Sequence, residues 1–312
     1  MNEKLNKCKG ALIGLAIGDA LGTTVEFRKA GTFPLMTDII GGGPFNLEAG
    51  KWTDDTSMAL CLADSLIKVN GFDALDQIGK YYCWYTFGYN SSTNHCFDIG
   101  NATRRAINLH EESGQAYCGS SSRDEAGNGS IMRLSPIPIV YHNDFEKLNT
   151  YSAWSSKTTH SAPQCIDACV FMSNIIAGLI LGFSKDEVLS SNFSLIPNYW
   201  IDNPLDATID EILKGSYKLK EPPQICGSGY VTKTLEAALW AFYHTDDFES
   251  GALKVVNLGD DADTTGAVYG QIAGAFYGLE GIPEKWLDKL HWRKEIEEKA
   301  EKLFELTNKY SK

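Results

Sequence analysis

Apolar residues recur at three- and four-residue intervals along most of the chain. That spacing places them on one face of an α-helix, whereas the alternation expected of strands is scarce. The pattern predicts helices over 4–21, 57–70, 74–85, 99–112, 164–181, 232–243, 265–277 and 284–310. The last follows Pro283 and mixes acidic with basic positions, as a solvated terminal helix does. Residues 184–226 are more polar and hold Pro197, Pro204, Pro222 and Pro223. They read as surface loops and short helices. No linker or low-complexity tract divides the chain, so the expectation is one all-α domain over 1–312.

Two of these segments carry glycine at every fourth position: Gly10, Gly14, Gly18 and Gly22, then Gly266, Gly270, Gly274 and Gly278. Residues four apart share a helix face, so each set makes a stripe without side chains. A glycine inside a helix costs about 1 kcal/mol relative to alanine. Close approach of a second backbone is the usual compensation. The two helices are therefore expected to be central and in mutual contact.

Composition narrows the class. With 43% hydrophobic and 22% charged residues, the 312-residue chain is not mostly disordered. A net charge of −12 disfavours general binding to nucleic acid or an anionic membrane. Eight cysteines with no C-x-x-C pair read as buried thiols of a reducing compartment, the cytoplasm. The apolar stretch after Lys4, Lys7 and Lys9 is cut short by Asp19, which argues against a signal peptide. The run 166–183 contains Asp167, Ser173 and Asn174 and reads as a core helix, not a membrane span.

Chemistry enters with two acidic clusters. One is Lys51-Trp52-Thr53-Asp54-Asp55-Thr56-Ser57; the other is Gly259-Asp260-Asp261-Ala262-Asp263-Thr264-Thr265-Gly266. Helix capping would use one such residue at each start, yet two or three neighbouring carboxylates repel one another. A hard cation would offset that repulsion, and Asp and Thr oxygens suit Mg²⁺, Mn²⁺ or Ca²⁺. The second cluster is not an EF-hand loop, because its twelfth position is Ile272. Four carboxylates, Asp54, Asp55, Asp261 and Asp263, could balance two divalent cations if the clusters converge. Gly127-Asn128-Gly129-Ser130 is a turn able to present backbone N–H groups to phosphate. His160, Asp98 and Glu26 say little singly.

Together the segments GALIGLAIGDALGTTVEF, KWTDDTSMAL, DIGNATRRAI, GNGSIMRLSPI, THSAP, GSGYVTKTLEAALWAF and NLGDDADTTGAVYGQIAGA resemble the ADP-ribosylglycohydrolase family. They run in family order from residue 10 to about 280. The resemblance implies a compact orthogonal helical bundle with a binuclear Mg²⁺ or Mn²⁺ centre. It implies metal ligation by Thr53, Asp54, Asp55, Asp261, Asp263 and Thr264, with Asp260 outside the set. Glu26 matches a carboxylate that gates the site, and Asp98 one beside the reacting ribose. Gly127, Asn128, Gly129 and Ser130 match a diphosphate and ribose loop; His160 and Tyr230 match positions contacting ADP-ribose. The implied reaction removes ADP-ribose from a protein side chain, arginine first, with Asp98 or Asp55 as the base. The implied partners are an ADP-ribosylated protein and ADP-ribose. Alternatives are an immunity or regulatory protein that occludes a cognate ADP-ribosyltransferase, and a crystallin-like structural relative.

Overall fold

A computed structural model describes residues 2–307. Its helices, in order, are α1 (Glu3–Gly22), α2 (Asp54–Val69), α3 (Ala74–Phe87), α4 (Asn101–Ser113), α5 (Pro136–Tyr141), α6 (Phe145–Lys157) and α7 (Pro163–Leu181). Three short helices follow, α8 (Lys185–Val188), α9 (Tyr199–Asp202) and α10 (Ala207–Leu213). Then come α11 (Val231–Tyr243), α12 (Phe248–Val256), α13 (Ala262–Tyr277), α14 (Glu284–Leu287) and α15 (Arg293–Thr307). Among the described residues only isolated β-bridges occur, so the fold is all-α.

The glycine stripes meet. α1 and α13 lie antiparallel, and a Cβ built at Gly10, Gly14 or Gly18 would strike the backbone of Gly274, Gly270 or Gly266. The reverse substitutions strike the backbone of α1 in the same way. Two main chains thus touch with nothing between them, which buries both helices almost throughout. The remaining long helices pack around this pair, and one continuous apolar cluster runs through α1, α2, α7, α11, α12, α13 and α15. α1 and α7 have the length and hydropathy of membrane spans, but most of each is buried against other helices. All eight cysteines are free thiols, and Cys8, Cys61, Cys118, Cys165 and Cys169 are buried.

The helix expected over 284–310 is interrupted. Residues 288–292 leave the helical path, and Trp292 adopts a left-handed backbone, φ 51°. The cause is packing: His291 and Trp292 turn back onto the buried Trp52, each with ring centroids at 5.5 Å. His291 N–H also donates to the Gly50 carbonyl at 3.1 Å. Positions 308–310 of that expectation lie outside the described residues. Three helices went unread in the periodicity: α5, which is apolar on every side, and α6 and α12, which the caps Asp144 and Asp247 begin.

The close contact predicts a contrast. Gly270→Ala forces the α1 and α13 backbones apart and is expected to destabilise the fold by about 1–3 kcal/mol, as overpacking does. Gly79, inside α3, has open space where a Cβ would stand. Gly79→Ala is expected to be neutral or to stabilise by up to about 1 kcal/mol through helix propensity. Urea unfolding of the two variants checks both signs.

Candidate active site

The antiparallel contact brings the N-terminus of α13 beside the C-terminal turn of α1, where Gly22 touches Ala262. Asp19, one turn earlier in α1, is fully buried and gathers the N-terminus of α2. It accepts from the Thr53 N–H and hydroxyl, both 2.9 Å, and from the Thr56 N–H and hydroxyl, 3.0 and 2.7 Å. Three helix ends therefore converge on one point. Neither N-cap residue, Thr53 before α2 or Asp261 before α13, makes a side-chain cap bond to its own helix.

The carboxylates form two groups of three that share Asp263. Asp19, Asp55 and Asp263 bring oxygens within 4.8 Å of one another, and so do Glu26, Asp261 and Asp263. Burial, then mutual repulsion, pushes Asp54, Asp55 and Asp263 far above the ordinary carboxylate range. Burial also raises Asp19 and Asp261. Glu26 is raised by burial and by Asp263, Asp98, Asp54 and Asp261. Asp98 is pushed up to about 7, first by burial and then by Asp19 and Asp261.

Hydrogen bonding leaves this cluster incomplete. The Thr53 hydroxyl has one proton but faces carboxylate oxygens of Asp19, Asp55 and Asp263 at 2.9, 3.1 and 3.1 Å. Asp55 Oδ1, Asp263 Oδ1 and Glu26 Oε2 are buried and accept no hydrogen bond from any described group. Buried, unpaired anionic oxygens are strongly unfavourable unless an electropositive partner completes them. An all-oxygen donor set of this kind fits a hard divalent cation. Asp260 stands outside it. Its side chain is exposed, while its backbone pairs with the 27–28 segment and pulls Glu26 into place: Phe27 N–H to Asp260 carbonyl and Asp260 N–H to Arg28 carbonyl, both 2.7 Å.

A cavity of about 380 Å³ opens beside the cluster, a volume suited to a small-molecule ligand. Glu26, Asp54, Asp98, Asp261, Asp263 and Thr264 form its acidic end. Gly127, Asn128, Gly129 and His160 line it further along. Facing them is the start of α4. Its N-cap is Gly100, without a side-chain cap, and Asn101, Ala102 and Thr103 follow on the cavity wall. An uncapped helix N-terminus offers free N–H groups and positive dipole to an anion.

The structure thus brings together most of the residues singled out in the sequence. Thr53 and Asp55 sit in the cluster behind the cavity; Asp54 and Thr264 face the cavity without joining either group of three. Ser130 and Tyr230 do not line it. The Ser130 side chain is buried, and the Tyr230 backbone instead pairs with Gly127, its hydroxyl reaching the Arg123 carbonyl at 3.3 Å. Sequence reading missed Asp19, whose carboxylate hides in an apolar helix and whose only signal was interrupting that run. It also missed Gly100–Thr103 as a helix start facing a site.

Behind the glycine turn lies a further unread element. Arg133 is fully buried, with its guanidinium 4.5 Å from the Tyr81 ring centroid. It donates to the Gly129 carbonyl at 2.8 Å and to the Thr159 hydroxyl at 2.7 Å. Thr159 Oγ1 in turn lies 2.8 Å from His160 Nδ1. A hydroxyl that accepts from Arg133 has its own proton left for Nδ1. Donation of that proton to Nδ1 would leave the His160 proton on Nε2, the edge beside Gly127 and Gly129. A side chain at Gly129 would collide with this ring. Burial, reinforced by Arg133 and Arg105, lowers His160 to about 3, so it is neutral at pH 7.

Comparison with known proteins fits this arrangement. A family profile described as ADP-ribosylglycohydrolase matches residues 1–312. The chain belongs to the ADP-ribosylglycohydrolase family. It is 44% identical to ADP-ribosylarginine hydrolase Tri1 of Serratia proteamaculans over 97% of this chain and 80% of that one. It is 31% identical to ADP-ribosyl-[dinitrogen reductase] glycohydrolase of Rhodospirillum rubrum, over 94% of this chain and 92% of that one. A solved structure titled ADP-ribosylglycohydrolase-related protein complex superimposes with a TM-score of 0.87 at 40% identity, covering 98% of this chain and all of that one. For a member of this family, the acidic end of the cavity is the place to look for metal and chemistry.

The hydrogen-bond chain makes a spectroscopic prediction. Nitrogen-15 NMR of the ligand-free protein at pH 7 is expected to show His160 as a single neutral Nε2–H tautomer. In Thr159→Val, with the relay removed, the Nδ1–H form is expected to appear. A wild-type ring protonated at Nδ1 contradicts the relay.

Proposed function

We propose that this protein hydrolyses the N-glycosidic bond between ADP-ribose and a protein arginine, reversing mono-ADP-ribosylation. The observation that carries the reading is one cavity with a paired carboxylate cluster at one end and an uncapped helix start facing a glycine turn further along. The names of two relatives, ADP-ribosylarginine hydrolase and ADP-ribosyl-[dinitrogen reductase] glycohydrolase, support the reaction class and, for the more similar one, the acceptor. The partners are then an ADP-ribosylated protein and ADP-ribose, in a cytoplasmic setting. Nothing in the cavity favours the occluding or lens-protein alternatives.

The α4 N-terminus and the Gly127–Gly129 turn seat the diphosphate, and the His160 Nε2–H donates to an oxygen or nitrogen of the ligand. Two divalent cations, Mg²⁺ or Mn²⁺, would be held by Thr53, Asp55, Asp261 and Asp263, with Asp54 and Thr264 on the cavity side and Asp19 and Glu26 added to the set. When bound, they would supply charge compensation and a template for the ribose hydroxyls. Glycosidic cleavage runs through an oxocarbenium-like state, which needs a base for the attacking water and an acid for the leaving nitrogen. Asp98 is the better base. It lines the cavity within hydrogen-bond reach of Glu26 and Asp263, whereas Asp55 is sealed from it. Asp98 also sits on a left-handed backbone, φ 56°, an unfavourable conformation that aims a side chain at a defined place.

The test is release of ADP-ribose from a mono-ADP-ribosylarginine protein, with Mg²⁺ or Mn²⁺ and with EDTA. Metal-dependent release is expected. Asp98→Asn is expected to lower kcat about 10²–10⁴-fold while ADP-ribose still binds. Release unaffected by EDTA, or a fully active Asp98→Asn protein, would falsify the reading.

A further inference from the structure

Phe27 follows the buried Glu26 directly, yet its own ring is 66% exposed. It holds a left-handed backbone, φ 60°, which is a real outlier for a bulky residue. The two backbone bonds to Asp260 enforce that conformation and turn the ring outward onto the cavity wall. A single exposed phenylalanine is ordinary. One held out by a strained backbone at the mouth of a reaction cavity has no stabilising role to explain it.

The ring does not stand alone. Phe45 meets Phe27 edge-on at 6.4 Å, and Phe97 meets Phe45 at 5.1 Å. Phe97 precedes Asp98, so two of the cavity carboxylates, Glu26 and Asp98, have a phenylalanine as sequence neighbour. Two nearby basic side chains, those of Arg28 and Lys51, are engaged elsewhere. Arg28 folds back over Phe33 at 5.4 Å and donates to the Thr32 carbonyl, and Lys51 pairs with Glu48 at 3.2 Å. The rim thus offers an aromatic face beside carboxylates on a chain of net charge −12. A guanidinium is planar, cationic and weakly hydrated, and it stacks on such faces.

We propose that Phe27, braced by Phe45 and Phe97, is the shelf that receives the acceptor arginine's guanidinium as the substrate enters. This rests on the arginine reading above and adds to it a residue that sets acceptor specificity. The glycine turn and the α4 N-terminus hold the ADP-ribose; the shelf holds what ADP-ribose is attached to. Phe27 makes no contribution to ADP-ribose binding on its own.

Steady-state hydrolysis of a mono-ADP-ribosylarginine protein, together with calorimetric binding of free ADP-ribose, separates the two. Phe27→Ala is expected to raise KM about three- to thirty-fold, leave the Kd for ADP-ribose within two-fold and leave the melting temperature unchanged. Phe27→Tyr, which keeps an aromatic face, is expected to restore KM. An unchanged KM in Phe27→Ala overturns the shelf, and so does an equal loss of ADP-ribose affinity. If the wild-type protein cleaves no arginine linkage, the functional reading fails and the shelf with it. If it cleaves the linkage but Phe27→Ala keeps the wild-type KM, the shelf alone fails.

Discussion

Backbone-to-backbone contact between α1 and α13 is the constraint on which the site depends. Side chains at Gly14, Gly18, Gly266 or Gly270 would push the two helices apart. With them apart, Asp19 near the end of α1 would no longer sit against Asp263 at the start of α13. The same contact fixes α2, because Asp19 holds its first turn through Thr53 and Thr56. Glycine is poor for helix propensity, and here its absence of side chain sets the distance between buried carboxylates far apart in sequence.

That geometry crowds carboxyl groups into a buried place, where burial and mutual repulsion push Asp54, Asp55 and Asp263 far above the ordinary carboxylate range. Positive helix ends moderate the repulsion, each by about 0.3–1 kcal/mol at exposed sites and more when partly buried. They do not supply donors for Asp55 Oδ1, Asp263 Oδ1 or Glu26 Oε2. The apo cluster is therefore held in place by the fold against its own electrostatics. A divalent cation held there would relieve that strain, because the carboxylates already stand together.

Much of this was legible in the sequence because it is periodic or clustered. The four-residue glycine spacing announced the α1–α13 pair, and the acids at 54–55 and 260–263 marked the candidate site. Other parts carried no such signature. Asp19 looks like one polar break in an apolar helix, and only the fold shows it anchoring α2. The buried Arg133 lies in an apolar run and reads as surface until Thr159 and Gly129 are placed around it. Phe27 reads as one more aromatic residue, since strain at φ 60° is a property of tertiary hydrogen bonds to Asp260. The break at 288–292 follows from packing on Trp52, which helix propensity does not encode. Ser130 and Tyr230 were assigned by motif, yet the cavity wall is formed by their neighbours.

The central claim is that buried carboxylates around Asp263 form a preformed divalent-cation site. Thermal unfolding in EDTA and in saturating Mg²⁺ or Mn²⁺ tests it most directly. At one hundred times Kd, binding stabilises by about 2.7 kcal/mol, a rise of roughly 4 °C for a chain of this size. The account predicts such a rise for the wild-type protein and its loss in Asp55→Asn/Asp263→Asn. A wild-type melting temperature indifferent to both metals would contradict it.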